Sequence, residues 1–219
     1  GINGLMPWAE LTDGDGLLNA ECYGGLDIAS SEDLCSLSLC FPLGDKRQVF
    51  QRSYVPEAAL QQRFAKGDKT LQQFVDSGHL VVVPGEVINQ KWIEKDIELV
   101  CERFDVRSIF YDRWNSSQLV SNLLEKEIPM VGFGQGFASI SAPMKELMRL
   151  TLVGDIEHND PLLAWAMSNV VEVKDPAGNI KTDKSKSSEK IDPAQAVIMA
   201  IAGAMRPEEP VEKQDFVEL

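Results

Sequence analysis

A chain of 219 residues, 44% hydrophobic and 25% charged, is long enough to bury one full core and suits one domain with or without extensions. No apolar run approaches the roughly 18 residues of a membrane-spanning helix, so a protein that acts as a membrane span is excluded. The net charge of −13 argues against sequence-independent gripping of nucleic acid by the domain alone.

The opening "GINGLMPWAE" has no initiator Met, basic n-region or apolar h-region, and reads as the start of a piece of a longer protein. Residues 1–20 lack periodicity and read as a linker or arm from a preceding domain. "DGDG" at 13–16 is not a calcium loop, because Leu17 and Leu18 stand where that loop needs an acid or amide and then glycine.

From 22 to 54 come "CYGGLDIAS", "LCSLSLCFPL" and "QVFQRSYVP", separated by the short polar turns "SSED" and "GDKR". Such close spacing predicts an antiparallel meander. A helical pattern over 57–77 and a short apolar strand at 79–85 follow. In "VINQKWIEKDIELVCERFD" the residues Ile88, Trp92, Ile93, Leu99 and Val100 fall largely on one stripe, which predicts a helix packed on the sheet. "VRSIFYD", "SSQLVSNLLEKE" and "PMVGFG" then read as strand, helix and strand, a parallel βαβ unit. Helices are predicted at about 141–152 and 160–168, a hairpin over 169–184 around Pro176 to Asn179, and a last helix with Asp192 at the N-cap and Pro193 at N1. Residues 207–219 are acidic and read as a disordered tail.

Cysteines at 22, 35, 40 and 101 form no C-x-x-C pair, and only His79 and His158 are available to join them. Zinc is disfavoured, and a reducing compartment fits. "GDKT" at 67–70 is no phosphate loop, and in "GFGQG" at 132–136 Phe137 takes the third glycine position of a dinucleotide fingerprint. His158 reads as a loop residue with a substrate-side role left open.

One acid resists a bland account. Asp27 reads as mid-strand, where an ionised carboxylate costs several kcal/mol without a partner. A meander, helix, strand, helix, fifth strand and final helix is the succession of an RNase H-like core, a mixed α/β sheet with three antiparallel strands then two parallel ones, flanked by helices, here with an added β-hairpin. In such a core the first and fourth strands are neighbours, which brings Asp27 and Asp112 together, and Asp192 at the start of the last helix reaches the same corner. Converging carboxylates repel unless cations sit between them, and Mg²⁺ or Mn²⁺ with oxygen ligands fits. Taken singly, Asp192 is also explained as a helix cap, and Asp112 and Asp33 as turn residues.

"YGGLDIASSEDLCSLSLCFP", "IFYDRWNSSQLVSNL", "GFGQGFASISAPMKELMRL" and "HNDPLLAWAMSNVVEVKDPAGNIKTDKSKSSEKIDPAQAVIMAIAGA" resemble, in order, the nuclease half of the large terminase subunit of tailed bacteriophages, over about residues 22–205. The resemblance implies an RNase H-like nuclease domain at 21–206, preceded in the full-length chain by an ATPase domain that is absent here. It implies that concatemeric double-stranded DNA is cut in the host cytoplasm, at the procapsid, with the small terminase subunit and portal protein as partners. The family's metal-binding acids fall on Asp27, Asp112 and Asp192, and an accessory acid on Asp33. Two ions about 3.5–4 Å apart would share Asp27 in an in-line displacement. Lys174, Lys181, Lys184, Lys186 and Lys190 cluster in the hairpin and the run leading into Asp192, a basic strip suited to phosphate contacts despite the net charge. The rival readings are a non-catalytic docking module joining motor to portal, and another RNase H-like enzyme such as a junction resolvase or integrase.

Overall fold

The computed structural model describes residues 16–28, 34–113 and 118–206. The accessory acid Asp33 and the tail from 207 lie outside the described residues, as does all of the predicted arm up to residue 15. Leu17, within that arm as read from sequence, is buried in the core, and the Asn19 N–H donates to the Arg103 carbonyl at 2.8 Å.

Strands β1 (Glu21–Asp27), β2 (Cys35–Leu43) and β3 (Lys46–Pro56) form the antiparallel meander. Helices α1 (Glu57–Ala65) and α2 (Gln72–Asp76), β4 (Leu80–Val83), α3 (Gln90–Arg103) and β5 (Asp105–Asp112) follow, then α4 (Gln118–Glu125) and β6 (Met130–Phe133). The chain continues through α5 (Phe137–Val153), β7 (Ile156–Glu157), α6 (Pro161–Ser168), the hairpin β8 (Glu172–Lys174) and β9 (Ile180–Thr182), and α7 (Asp192–Ala204). The main sheet runs β4-β3-β2-β1-β5-β6, with β7 beside β3; β5 is parallel to both β1 and β6, and β4 is parallel to β3. The hairpin is a separate sheet. This is the mixed RNase H-like arrangement expected from the succession of elements.

Alternation along the strands explains the layering. In β2 the larger Leu37, Leu39 and Phe41 enter one core with Ile93, Ile97 and Val100 of α3 and Leu119, Val120 and Leu123 of α4. Neighbouring positions point the other way, as Cys40 and Phe110 do, into a second core built with α5 and α7. Helix α7 is buried almost all round, as its unbroken "AVIMAIAGA" requires.

Three elements differ from the sequence reading. The helix over 57–77 is two helices, split around Gly67, whose φ of +82° is left-handed. The helix placed at 141–152 begins earlier, at Phe137, and carries Pro143 within it. Asp27 is the last residue of β1, not its middle, so it stands at the carboxyl edge of the sheet as Asp112 does at the end of β5.

Candidate active site

Because β1 and β5 pair in parallel, with Leu26 opposite Tyr111, their next residues, Asp27 and Asp112, leave the same edge of the sheet. Open α/β sheets place ligands outside the carboxyl ends of their strands. Helix α7 crosses this sheet with its N-terminus at that edge and brings Asp192 to it. The close approach depends on small residues: Gly25 of β1 lies against the backbone of Ala196 and Ala200.

Asp192 was expected to cap α7. The helix instead starts at Asp192, with Ile191 at the cap position and no side-chain cap bond. The carboxylate is engaged elsewhere. Lys184 Nζ donates to Asp192 Oδ1 at 2.9 Å and to Asp27 Oδ2 at 3.0 Å. Both acids are buried, with side chains 6% and 4% exposed for Asp27 and Asp192, whereas the Lys184 side chain is 50% exposed and reaches in from solvent. The sequence suggests a phosphate-facing strip for Lys184; its ammonium instead stands between two of the acids.

Burial first, and then the charges of Asp192 and Asp112, push the Asp27 carboxyl up to about 7 despite the opposing pull of Lys184. Burial disfavours the Lys184 charge, but Asp27 and Asp192 outweigh it and hold the ammonium above its ordinary range. A pocket of about 480 Å³ opens over these groups, lined by Asp27, Asp112, Lys184 and Ser185, with Lys181, Asp183 and a polar wall of Gln135, Thr182 and Gln195. Thr182 Oγ1 donates to Gln195 Oε1 at 2.8 Å, which braces the hairpin against α7. The wall escaped the sequence reading, although Gln195 lies three residues after Asp192 on the same helix.

No three Asp, Glu, His or Cys side chains among the described residues are gathered closely enough to hold a metal ion by themselves. The donor set nevertheless fits a hard divalent cation in kind: two buried carboxylates already enclose a positive charge, and a third lines the same pocket.

The remaining strip is not a uniform band. Lys174 pairs with Glu172 at 3.1 Å and Lys186 with Asp183 at 3.3 Å. Lys181 sits 5.0 Å above the Phe137 ring, and Lys190 is partly buried. His158 does not line the pocket; it lies two residues before Asp160, the cap of α6.

A second pocket, about 340 Å³, adjoins the first along the chain: Asp112 and Gln135 line one, and their neighbours Arg113 and Gly134 line the other. It also holds Arg206, stacked 4.5 Å over the Phe110 ring, and no carboxylate among the described residues lines it. Neither arginine was singled out from sequence, although Arg113 directly follows Asp112 in "YDRWN".

The sequence of residues 11–208 matches the family model described as the terminase large subunit, endonuclease domain. The chain is 32% identical over 186 residues to the terminase large subunit of Enterobacteria phage HK97, covering 83% of this chain and 37% of that protein. It is 24% identical to the terminase large subunit of Lactococcus phage SK1, covering 85% of this chain and 36% of that one. The chain therefore spans well under half the length of these relatives. The crystal structure of the HK97 large terminase superimposes with a TM-score of 0.76 at 31% identity, over 84% of this chain and 39% of that one. The large terminase nuclease of thermophilic phage G20c with bound magnesium shares the fold, with a TM-score of 0.56 at 10% identity over 84% of this chain and 82% of that one. With the family model matched along nearly the whole chain and the same fold in its relatives, this chain belongs to the endonuclease-domain family of terminase large subunits.

Proposed function

We propose that this domain is a divalent-metal-dependent endodeoxyribonuclease that cuts concatemeric double-stranded viral DNA during genome packaging. Asp27, Asp112 and Asp192 hold Mg²⁺ or Mn²⁺, as two ions when DNA is bound, with Asp33 as an accessory acid. The observation that carries this reading is that Asp27 at the end of β1 and Asp192 in the first turn of α7 share one ammonium, while Asp112, at the end of the adjacent parallel strand, lines the same pocket as Asp27. The G20c nuclease with bound magnesium supports the choice of ion class.

A divalent cation bound there supplies a Lewis acid for the phosphoryl oxygens and lowers the pKa of bound water. The chain's own residues do the rest. Asp27 lines the pocket and Asp192 holds Lys184 beside it, Gln135, Thr182 and Gln195 shape one wall, and the main chain at Asp112–Arg113 leads into the second pocket. There Arg113 and Arg206 receive phosphates flanking the cut, and Lys181 meets the backbone on the hairpin side. These local positive groups answer the net charge of −13.

The nuclease domain, residues 21–206 of this sequence, belongs to a longer chain that also carries an ATPase domain, and it works in the host cytoplasm at the procapsid with the small terminase subunit and portal protein. The short span of its relatives that it covers supports the larger chain. The test is conversion of supercoiled plasmid by this chain in Mg²⁺ or Mn²⁺. Wild type cuts, and Asp27→Asn, Asp112→Asn and Asp192→Asn each abolish cutting with the circular dichroism spectrum retained. A wild type that neither cuts nor responds to Mn²⁺ in melting temperature is a docking module.

A further inference from the structure

The ion pairs of Lys184 have a consequence for how the site fills. Its ammonium lies 3.0 Å from Asp27 and 2.9 Å from Asp192, hydrogen-bonding both at once. Two buried carboxylates left without countercharge cost several kcal/mol, so the pair needs a cation whenever no metal is present. A divalent ion ligated by the same two oxygens would meet the ammonium at close range, and two cations at that separation repel strongly in a buried site. One of them has to leave.

Lys184 is built to leave. Its side chain is half exposed, so the four-carbon stem can swing out through the pocket mouth without a main-chain change. The segment that carries it is pinned at both ends. On one side Thr182 bonds to Gln195 at 2.8 Å, and Asp183 accepts from the Ser185 N–H at 3.0 Å. On the other side Glu189 pairs with Arg63 of α1 at 2.7 Å. The backbone therefore keeps Lys184 at the rim of the pocket while its ammonium changes partner.

We propose that Lys184 is an exchangeable counter-ion of the site: its ammonium and the divalent cation compete for Asp27 and Asp192, and the displaced ammonium is delivered to a DNA phosphate at the pocket rim. This rests on the metal-nuclease reading above. Coupling follows from the exchange, because a phosphate that takes the ammonium removes the competitor of the metal, and linkage makes the effect reciprocal. The acids are thus shielded while DNA is absent and cleared when it arrives.

The test is Mn²⁺ affinity of this chain without DNA, read by calorimetry and by the shift in melting temperature. Lys184→Met removes the competitor and keeps the stem, so Mn²⁺ should bind on the order of tenfold more tightly than in wild type, within the usual range of such couplings. Lys184→Arg keeps a cation and should return affinity towards the wild-type value. A residue that merely holds the acids in place gives the opposite: Lys184→Met binds Mn²⁺ no better, or worse, and the proposal falls. A measurement on the unaltered protein guards against a variant that does not fold. Brief acetylation followed by mass spectrometry should find Lys184 protected in EDTA and reactive in saturating Mn²⁺. Equal reactivity in a wild type whose melting temperature does respond to Mn²⁺ overturns the exchange alone, whereas no Mn²⁺ response in any form overturns the metal-nuclease reading with it.

Discussion

Gly25 of β1 and Ala196 of α7 pack backbone to backbone, so closely that a methyl group at Gly25 would stand 2.0 Å from the Ala196 carbonyl oxygen and 2.6 Å from the Ala200 nitrogen. Neither neighbour is a flexible side-chain end, so a Cβ can be admitted only if the helix moves off the sheet. Overpacking in a core costs about 1–3 kcal/mol even where side chains can adjust. Gly25→Ala should therefore lower stability by more than about 3 kcal/mol in urea denaturation. Because α7 carries Asp192, any folded fraction should also lose its response to Mn²⁺.

A second structural prediction concerns a buried charge network away from the site. Arg52 Nε lies 2.6 Å from Asp96 Oδ2, both side chains being almost fully buried, and the Tyr54 hydroxyl donates to the same carboxylate oxygen. Asp96 thus ties α3 to β3 beneath the sheet. Asp96→Ala removes the buried carboxylate that Arg52 and Tyr54 share, and removing one partner of a buried ion pair costs about 3–5 kcal/mol. Chemical denaturation should show that loss.

How much of this was legible in the sequence depends on the kind of signal. The meander, the βαβ unit and the pairing of the first strand with the "VRSIFYD" strand follow from alternation, turn chemistry and the succession of elements, all of which are local or topological. The helix over 57–77 broke at Gly67 because one left-handed residue overrides a tolerable helical pattern. Asp27 was placed mid-strand because Ile28 and Ala29 continue an apolar run, and composition does not mark where pairing stops. Lys184 was the main gap. Its distance of 157 residues from Asp27 makes the contact invisible to spacing, and its neighbours Lys181 and Lys186 disguise it as one member of a phosphate-facing strip. The Arg113 and Arg206 pocket, made by residues 93 positions apart, was hidden for the same reason.

Mn²⁺ should raise the melting temperature of the wild type. An ion that binds only the folded state stabilises it by RT ln(1 + [L]/Kd), which is about 2.7 kcal/mol at a hundredfold excess over Kd. Asp27→Asn and Asp192→Asn each remove one of the two buried carboxylates that already hold a cation, so either should abolish the shift. Asp112 lines the same pocket but is not one of the two acids bonded to Lys184, and Asp112→Asn should reduce the shift less. Differential scanning fluorimetry at several Mn²⁺ concentrations separates the three. An undiminished shift in Asp27→Asn would place the ion elsewhere.

DNA binding should divide the basic residues by what they already hold. Among the described residues Lys181 and Arg206 form no ion pair with a carboxylate: each lies over an aromatic ring, Phe137 at 5.0 Å and Phe110 at 4.5 Å, which leaves the charge available to an incoming phosphate. Lys174 and Lys186 sit on Glu172 and Asp183, and to bind DNA they must first give up those partners. Each phosphate that a variant no longer neutralises makes the dependence of log K on log salt shallower by about 0.9. Lys181→Ala and Arg206→Ala should each show close to that change, and the double variant close to twice it, because one lies on the hairpin side of the first pocket and the other in the second. Lys174→Ala and Lys186→Ala should change the slope by well under that amount. Affinities measured by fluorescence anisotropy at several salt concentrations, with Mn²⁺ and Mg²⁺ withheld, give these slopes. Equal slopes for Arg206→Ala and wild type would remove the second pocket from the DNA path, and a change in Lys186→Ala as large as that in Lys181→Ala would mean that DNA outcompetes Asp183 for the Lys186 ammonium.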